Sequence, residues 1–295
     1  MHPIIAKIKN VYEEKYKLLL IIPFLILLFA FIQIGHQYAT TGDFVNKGIT
    51  LKGGSIITIP AMDTITSLQL EEKTKNGFGE IHVRTIGSDD NPTAFIIESE
   101  IQDSAQLESL LETIISETSL SRKDLSVEII GASLGNSFFK QSLVALAVAF
   151  LLMGIVVLLY FRTIVPSFAI ILAGFSDIVV TLAIFNLTGE KLSSAGIAAF
   201  LMLIGYSVDT DVLLTSRVLK RKEGTIMERV YSAISTGLSM TATALSAVLV
   251  ALIFVKSDVI FQIMLILFIG LLVDMIFTWI QNVGILRLYL EKKKK

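Results

Sequence analysis

The sequence contains no cysteine, which excludes disulfide bonds, cysteine-ligated metals and thiol nucleophiles. Charge is scarce too, because Asp, Glu, Lys and Arg together make up only 17% of the 295 residues. Hydrophobic residues account for 53% and the mean hydropathy is +0.72, a composition that excludes an ordinary soluble domain. We therefore predict an integral membrane protein, embedded in lipid, with no metal, no other cofactor and no nucleic-acid partner.

Six segments are long and apolar enough to be membrane spans, each of which needs about 20 apolar residues. They cover residues 18–34, 143–160, 167–187, 195–214, 233–255 and 259–283. A cleaved signal peptide is the alternative for the first segment, since Lys15 and Lys17 precede it. The length of its apolar run and the lack of an A-x-A site after it favour a span.

Lysine and arginine lie mainly in the segments on one side of these spans. They precede the first span, follow the second and fourth, and form the basic tail 291–295, whereas the short loops opposite hold only Lys191 and Lys256. The positive-inside rule then predicts that both termini are cytoplasmic. Residues 1–17 are the cytoplasmic N-terminus, 35–137 lie outside the cytoplasm, and 138–290 form a five-helix membrane bundle.

The segment 35–137 is long enough to fold as a domain of its own. Its apolar patterns predict strands at 54–59, 81–86, 94–100 and 126–130 and helices at 64–75 and 104–118, with turns at NGFG (76–79) and SDDNP (88–92). Asp103 and Gln106 have the spacing of a capping box. The order of elements is that of a ferredoxin-like α+β fold.

Four acidic residues fall inside the predicted spans: Asp177 in the third, Asp209 and Asp211 in the fourth, and Asp274 in the sixth. An ionisable residue there costs at least ~2.5 kcal/mol on insertion scales, so each is a candidate functional residue. Residues two apart on a helix point about 200° apart, so Asp209 and Asp211 cannot share a face. We expect Asp209 to face the bundle interior. The sequence leaves two positions open for Asp211, the bundle interior and the membrane interface. It leaves two roles open for Asp274, ion coupling and structural hydrogen bonding.

The fifth predicted span carries a hydroxyl stripe on one helix face: Ser232, Thr236, Ser239, Thr243 and Ser246. Close helix packing is one explanation. The other is a polar path facing Asp177 and Asp209, which brings water and protons to a carboxyl that is neutral in a dry bundle and ionises when water enters. Arg217, at the end of the fourth span, is predicted to be an anchor at the lipid headgroups.

Three stretches are similar to those of one known family: LKGGSIITI at 51–59, FSDIVVTLAIF at 175–185 and GYSVDTDVLLTSR at 205–217. With the layout of one span, an external ferredoxin-like domain and five further spans, they resemble the SecF family of protein-export membrane proteins in its archaeal form, a branch of the RND-like transporters. The resemblance covers essentially the whole chain. Its motif residues here are Gly53, Gly54, Gly205, Tyr206, Ser207 and Arg217.

The resemblance implies a complex with SecD beside the Sec translocon of SecY, SecE and an associated subunit, in which the external domain contacts the translocating polypeptide. It also implies coupling to the proton gradient, with Asp209 aligned to the acid of the corresponding SecD span. The chain departs from the family pattern at Thr210 and Thr50, which replace acids, and at Ser235, which replaces an arginine of bacterial members. Because this arginine is absent, the proton relay of bacterial members either does not apply unchanged to this chain or has part of its residues in SecD.

Three other functions stay open on the sequence. An intramembrane aspartyl protease would use Asp177 and Asp209, but the chain has no G-x-G-D motif, and we predict that it is not an enzyme. A stand-alone RND-type exporter of lipids or small molecules usually joins two six-span halves in one chain. The third possibility is a structural Sec subunit that stabilises its partners without ion coupling.

Overall fold

The computed structural model describes residues 3–62, 65–75, 77–79, 81–88, 91–221, 223–255 and 257–293. Within them, six helices are long and apolar enough to cross a membrane, which confirms the predicted number: Tyr16–Thr41, Ala132–Phe161, Ile164–Leu187, Ser194–Lys220, Ile226–Phe254 and Asp258–Lys293. We call them spans 1 to 6 in this order. Several positions used in the predictions lie outside the described residues, namely the helix start Thr64, the turn residues Asn76, Asp89 and Asp90, and the cations Lys222, Lys256, Lys294 and Lys295.

At the end beside the α+β domain, two spans extend well beyond the apolar windows that predicted them. Span 1 continues past Ile34 to Thr41, and span 2 begins at Ala132 rather than Leu143. The hydrocarbon core is about 30 Å thick, whereas the 30 residues of span 2 make a helix about 45 Å long. Polar turns of both spans therefore project toward the α+β domain, and the predicted domain end at residue 137 falls inside span 2.

The α+β domain contains a four-stranded antiparallel sheet in the order β2-β3-β1-β4. Its strands are β1 Gly54–Pro60, β2 Ile81–Ser88, β3 Asn91–Ser99 and β4 Ser126–Ile130, and its helices are Ser67–Lys75 and Ser104–Thr118. The two strand-helix-strand units interleave in this order, which confirms the predicted ferredoxin-like fold.

One face of this sheet packs on the two domain helices. Ile57 of β1 and Ile97 of β3 lie opposite one another and are fully buried, because alternate side chains of a strand point to the same face. Leucines of the second helix complete this core. That helix begins as predicted, since Asp103 Oδ1 accepts the N–H groups of Ala105 (3.0 Å) and Gln106 (3.1 Å).

Gly53 and Gly54 join the domain to the bundle at a point where the chain has no room for side chains. Their φ angles are +91° and +143°, values that favour glycine. A Cβ on Gly53 would lie 2.5 Å from the Cα of Ala132, and a Cβ on Gly54 would collide with the carbonyl oxygen of Ser99. The Gly-Gly pair therefore allows β1, β3 and the start of span 2 to meet.

The segment before this pair is packed into the end of the bundle beside the α+β domain. Val45 and Leu51 are fully buried there. The N–H of Gly48 donates to the carbonyl of Leu192 (2.8 Å), and the N–H of Leu192 donates to the carbonyl of Asn46 (2.6 Å). Backbone hydrogen bonds and apolar contacts thus both attach the domain to the bundle. We call this end of the bundle the domain end and the opposite end the terminal end.

Span 6 is not a uniform α-helix. It is α-helical over Asp258–Ile276, widens to a π-helix over Phe277–Asn282 and is α-helical again over Val283–Lys293. π-Helical turns are rare and frequently lie at functional sites. A helix that the sequence analysis did not predict, Pro3–Glu14, packs against span 6 at the terminal end.

We expect Gly54→Ala to destabilise the protein by about 2–4 kcal/mol, because it adds strain at a positive φ and a clash with β3. Thermal unfolding of the purified protein in detergent measures the loss. Gly35→Ala is the matched control, since Gly35 lies in span 1 and a Cβ there would meet nothing within 4 Å. Equal melting temperatures for the two variants would contradict the role given to Gly54.

Candidate functional site

Three of the four acids predicted within the spans meet inside the bundle. Asp177 of span 3, Asp211 of span 4 and Asp274 of span 6 are each at most 1% exposed. Their carboxyl groups are close enough to interact electrostatically with one another. The fourth acid, Asp209, is exposed on the other side of span 4. We call Asp177, Asp211 and Asp274 the acid cluster.

The expectation that Asp209 faces the bundle interior is wrong, and Asp211 takes that place. The helical division of the two acids is confirmed, since Ser207 shares the buried face with Asp211 and Tyr206 shares the exposed face with Asp209. Asp177 and Asp209 consequently lie apart, one buried and one exposed. The acid pair that an intramembrane protease would use is not formed.

Side chains of neighbouring spans donate hydrogen bonds to two members of the cluster. Ser207 Oγ of span 4 donates to Asp177 Oδ2 of span 3 at 2.5 Å. Asn282 Nδ2 of span 6 donates to Asp211 Oδ1 of span 4 at 2.7 Å. Within the described part of the chain, the other carboxyl oxygens, Asp177 Oδ1 and Asp211 Oδ2, are buried without a hydrogen-bond partner. Each acid is therefore held by one neighbouring span and keeps one oxygen able to bind a proton.

Asp274 lies between two hydroxyl groups. Thr210 Oγ1 of span 4 is within hydrogen-bonding distance of both Asp274 oxygens (3.1 and 3.0 Å), and Thr278 Oγ1 donates to Oδ1 at 2.9 Å. At position 210 the family resemblance implied an acid, and this chain has a threonine. Here its hydroxyl contacts an acid that span 6 supplies.

The π-helix brings two of these donors to the cluster. Thr278 and Asn282 both lie in Phe277–Asn282, and their side chains reach Asp274 and Asp211 respectively. The sequence analysis missed both donors. The available signal was their spacing, because Asp274, Thr278 and Asn282 follow one another at intervals of four residues and so form a polar stripe in an apolar helix.

No basic side chain compensates the acid cluster within the residues that the structure describes. No lysine or arginine among them forms an ion pair with Asp177, Asp211 or Asp274. A buried carboxylate without a compensating charge costs several kcal/mol, and neighbouring carboxylates repel each other in addition. Bound protons or another cation must therefore neutralise at least part of the charge of the cluster.

Most of the hydroxyl stripe of span 5 points away from the bundle interior, which contradicts the polar path, one of the two explanations offered for it. Ser239, Thr243 and Ser246 are exposed, and each donates its hydroxyl to the carbonyl four residues earlier in its own helix, at 2.8 Å. Such bonds satisfy a hydroxyl without a second helix. These three hydroxyls therefore do not line a polar path through the bundle interior.

The two remaining stripe residues lie near Arg217 at the terminal end. Thr236 Oγ1 donates to the carbonyl of Ser232 at 3.4 Å. Arg217 Nη1 donates to the same carbonyl at 2.5 Å and to the Ser232 hydroxyl at 3.1 Å. Arg217, predicted as a headgroup anchor, thus also links the ends of spans 4 and 5.

The structure defines a class of membrane protein by its six spans, its ferredoxin-like domain after span 1 and its intramembrane acids. Comparison with known proteins identifies this class. A family model described as protein export membrane protein SecD/SecF, C-terminal, matches residues 110–292. The chain is 36% identical to protein-export membrane protein SecF of Pyrococcus furiosus, over 98% of both chains. It is 39% identical to protein-export membrane protein SecF of Methanocaldococcus jannaschii, over 95% of this chain and 97% of that one. The chain belongs to the SecF family of protein-export membrane proteins.

Solved structures show the same fold. The crystal structure of SecDF, a translocon-associated membrane protein from Thermus thermophilus, superimposes with a TM-score of 0.72 at 21% identity and covers 96% of this chain. SecDF in a super-membrane-facing form gives a TM-score of 0.56 over 92% of this chain, also at 21% identity. The chain spans 39% of the length of the first SecDF structure and 38% of the second.

We expect Ser207→Ala to lower the stability of the protein by about 1–3 kcal/mol, because it leaves a second oxygen of buried Asp177 without a donor. Thermal unfolding in detergent provides the measurement. Ser239→Ala is the matched control, since its exposed hydroxyl bonds its own helix, and we expect a change within about 0.5 kcal/mol. Equal losses of stability in the two variants would contradict the importance given to the hydrogen bond between Ser207 and Asp177.

Proposed function

We propose that the protein is the SecF-like subunit of a SecDF complex, which assists Sec-dependent translocation of polypeptides across or into the cytoplasmic membrane. We further propose that the proton gradient drives this activity through Asp177, Asp211 and Asp274. The observation that carries the proposal is the meeting of these three buried acids, with no basic partner among the described residues, in a bundle with the fold of SecDF. Membership of the SecF family supports the export role.

Two observations support SecD as the partner. The chain aligns with 39% of the length of a SecDF chain. The exposed face of span 4 carries Met202, Gly205, Tyr206 and Asp209. A carboxylate that faces lipid well inside a span is costly, whereas a protein neighbour can supply donors to it. We therefore assign this face of span 4 to contact with SecD.

Proton binding would act on the contacts between spans 4 and 6. Asp211 of span 4 accepts a hydrogen bond from Asn282 of span 6, and Asp274 of span 6 lies within hydrogen-bonding distance of the Thr210 hydroxyl of span 4. A carboxyl that gains a proton gains a donor and loses its charge, so it favours different partners in its two states. Because the three acids are on three spans, such a change alters how these spans pack together.

The absence of the bacterial arginine is consistent with this assignment. Ser235 stands in its place and is exposed, away from the acid cluster. A relay that pairs an acid with an arginine at that position of span 5 is therefore not available in this chain. In our proposal, protons shared among the three carboxyls take over the neutralising role, and any basic residue of the relay belongs to SecD.

The terminal end of the bundle is assigned to the cytoplasm. Arg217 and Arg287 lie at this end of spans 4 and 6, as the positive-inside rule requires. The α+β domain is then outside the cytoplasm, where it meets the polypeptide that emerges from the translocon of SecY, SecE and their associated subunit. Movement of the spans would reach the domain through the Gly53–Gly54 connection and the buried segment before it.

We expect Asp211→Asn and Asp274→Asn to reduce export in the presence of a proton gradient to the level measured without one. Either variant removes a site that binds and releases a proton while keeping the shape of the side chain. The measurement is export of a Sec substrate into vesicles that contain the translocon, SecD and the variant, with and without the gradient. Co-purification with SecD shows that the complex is assembled.

Asp209→Asn is the matched control on the same helix, and gradient-dependent export should persist in it. Loss of export in Asp209→Asn alone would identify the exposed acid as the proton carrier and contradict our assignment. If Asn at positions 177, 211 and 274 leaves gradient-dependent export unchanged, the chain is a structural subunit without ion coupling. The observation in favour of that second candidate is that each acid of the cluster already accepts a hydrogen bond from a neighbouring side chain.

We expect Gly205→Leu to reduce the amount of SecD that co-purifies with the protein. A Cβ at Gly205 would meet nothing within 4 Å in this chain, so the larger side chain is tolerated here and obstructs only a neighbour on that face. Gly35→Leu, at an equally open position of span 1, is the control and should retain SecD. Unchanged SecD recovery with Gly205→Leu would show that another face makes the contact.

A further inference from the structure

The N-terminal helix Pro3–Glu14 makes one hydrogen bond directly into the π-helix of span 6. Tyr12 Oη donates to the carbonyl oxygen of Trp279 at 2.7 Å, although the two residues are 267 positions apart. Trp279 lies in the middle of Phe277–Asn282. Burial raises the pKa of Tyr12 well above its ordinary value, so its hydroxyl keeps its proton and remains a donor.

Arg287 holds Tyr12 in place. Its guanidinium donates through Nη1 to the carbonyl of Tyr12 (2.9 Å) and through Nη2 to the carbonyl of Glu13 (2.7 Å). The same group lies 3.8 Å from the ring centre of Tyr16. The last carbonyls of a helix have no partner within it and carry partial negative charge, so a cation is favourable at this position. Arg287 is only 8% exposed, which strengthens these bonds.

Span 5 fixes the same helix from a second side. Tyr231 Oη donates to Glu13 Oε1 at 2.9 Å. Further along span 5, Gly237 is in close contact with the indole ring of Trp279, where a Cβ would leave no room for the ring. Trp279 is therefore held through its carbonyl by Tyr12 and through its ring by span 5.

The register of the π-helix decides where its side chains point. A π-turn contains about one residue more than the α-helical turn it replaces, so conversion to an α-helix would rotate the flanking residues by about 100° relative to each other. An external donor to a carbonyl inside the segment favours the wider turn over regular α-helical pairing. The side chain that depends on this register is Asn282, the last residue of the π-helix, which donates to Asp211 of span 4.

We propose that Tyr12 is a positioning residue for the acid cluster: its hydrogen bond to the Trp279 carbonyl holds the π-helical register that directs Asn282 to Asp211. Tyr12 is not itself in contact with the acids, and it acts from the terminal end of the bundle through span 6. An effect of Tyr12 on export rests on the proposed coupling role of these acids. The positioning of Asn282 by Tyr12 does not depend on that role.

The test compares Tyr12→Phe with Tyr16→Phe. Both variants lose one hydroxyl and keep the ring, but Tyr16 donates to Glu291 (2.5 Å), outside the π-helix. Trp279 is the single tryptophan of the chain, so the fluorescence of the purified protein reports on the π-helix directly. We expect a shift of the emission maximum in Tyr12→Phe and none in Tyr16→Phe, with similar small changes of melting temperature in both.

The second measurement is modification of the buried carboxyls by dicyclohexylcarbodiimide in membranes that contain the full chain and SecD, followed by mass spectrometry of the labelled peptides. We expect several-fold greater labelling of Asp211 in Tyr12→Phe, because Asn282 no longer covers it, and wild-type labelling in Tyr16→Phe. Unchanged labelling in Tyr12→Phe, or an equal increase in both variants, would overturn the proposal.

Export measured with the same variants separates this inference from the proposed function. Altered fluorescence and labelling together with reduced gradient-dependent export support both. If Asp211→Asn leaves export unchanged, the coupling role fails, while the fluorescence and labelling results still decide whether Tyr12 positions the cluster.

Discussion

The need to satisfy buried carboxyl groups from within the bundle governs how the membrane helices are arranged. Lipid offers no hydrogen bonds, so each polar group inside a span depends on its own helix or on neighbouring spans. Asp177, Asp211 and Asp274 have no basic partner among the described residues, and their donors are short hydroxyl and amide side chains of spans 4 and 6. These donors reach only a few ångströms, so the three spans must approach closely and in one register.

The same requirement accounts for the irregular backbone of span 6. A regular α-helix through Phe277–Asn282 would rotate Asn282 away from the position from which it donates to Asp211. An irregular segment is stable where neighbours bind it. Here the neighbours are the glycine at position 237 and the N-terminal helix, so contacts at the terminal end of the bundle and the acid cluster are parts of one structure.

At the other end, two glycines set the position of the α+β domain. Gly53 and Gly54 bring β1 against the start of span 2, and the buried segment before them is bonded to the loop at Leu192. In the function that we propose, this connection would transmit changes in the packing of the spans to the α+β domain. The exposed face of span 4, with Asp209, is the surface that we propose for contact with SecD.

The sequence by itself determined the number of spans, the ferredoxin-like order of strands and helices, and the SecF resemblance, because apolar length and local periodicity are properties of the chain alone. It also placed Asp209 and Asp211 on opposite faces of span 4. Only the tertiary structure decided that Asp211 faces inward, since helical geometry separates two faces without stating which one meets the neighbouring spans. The π-helix and its contact with Tyr12 likewise depend on residues 267 positions apart, a proximity that only the folded chain creates.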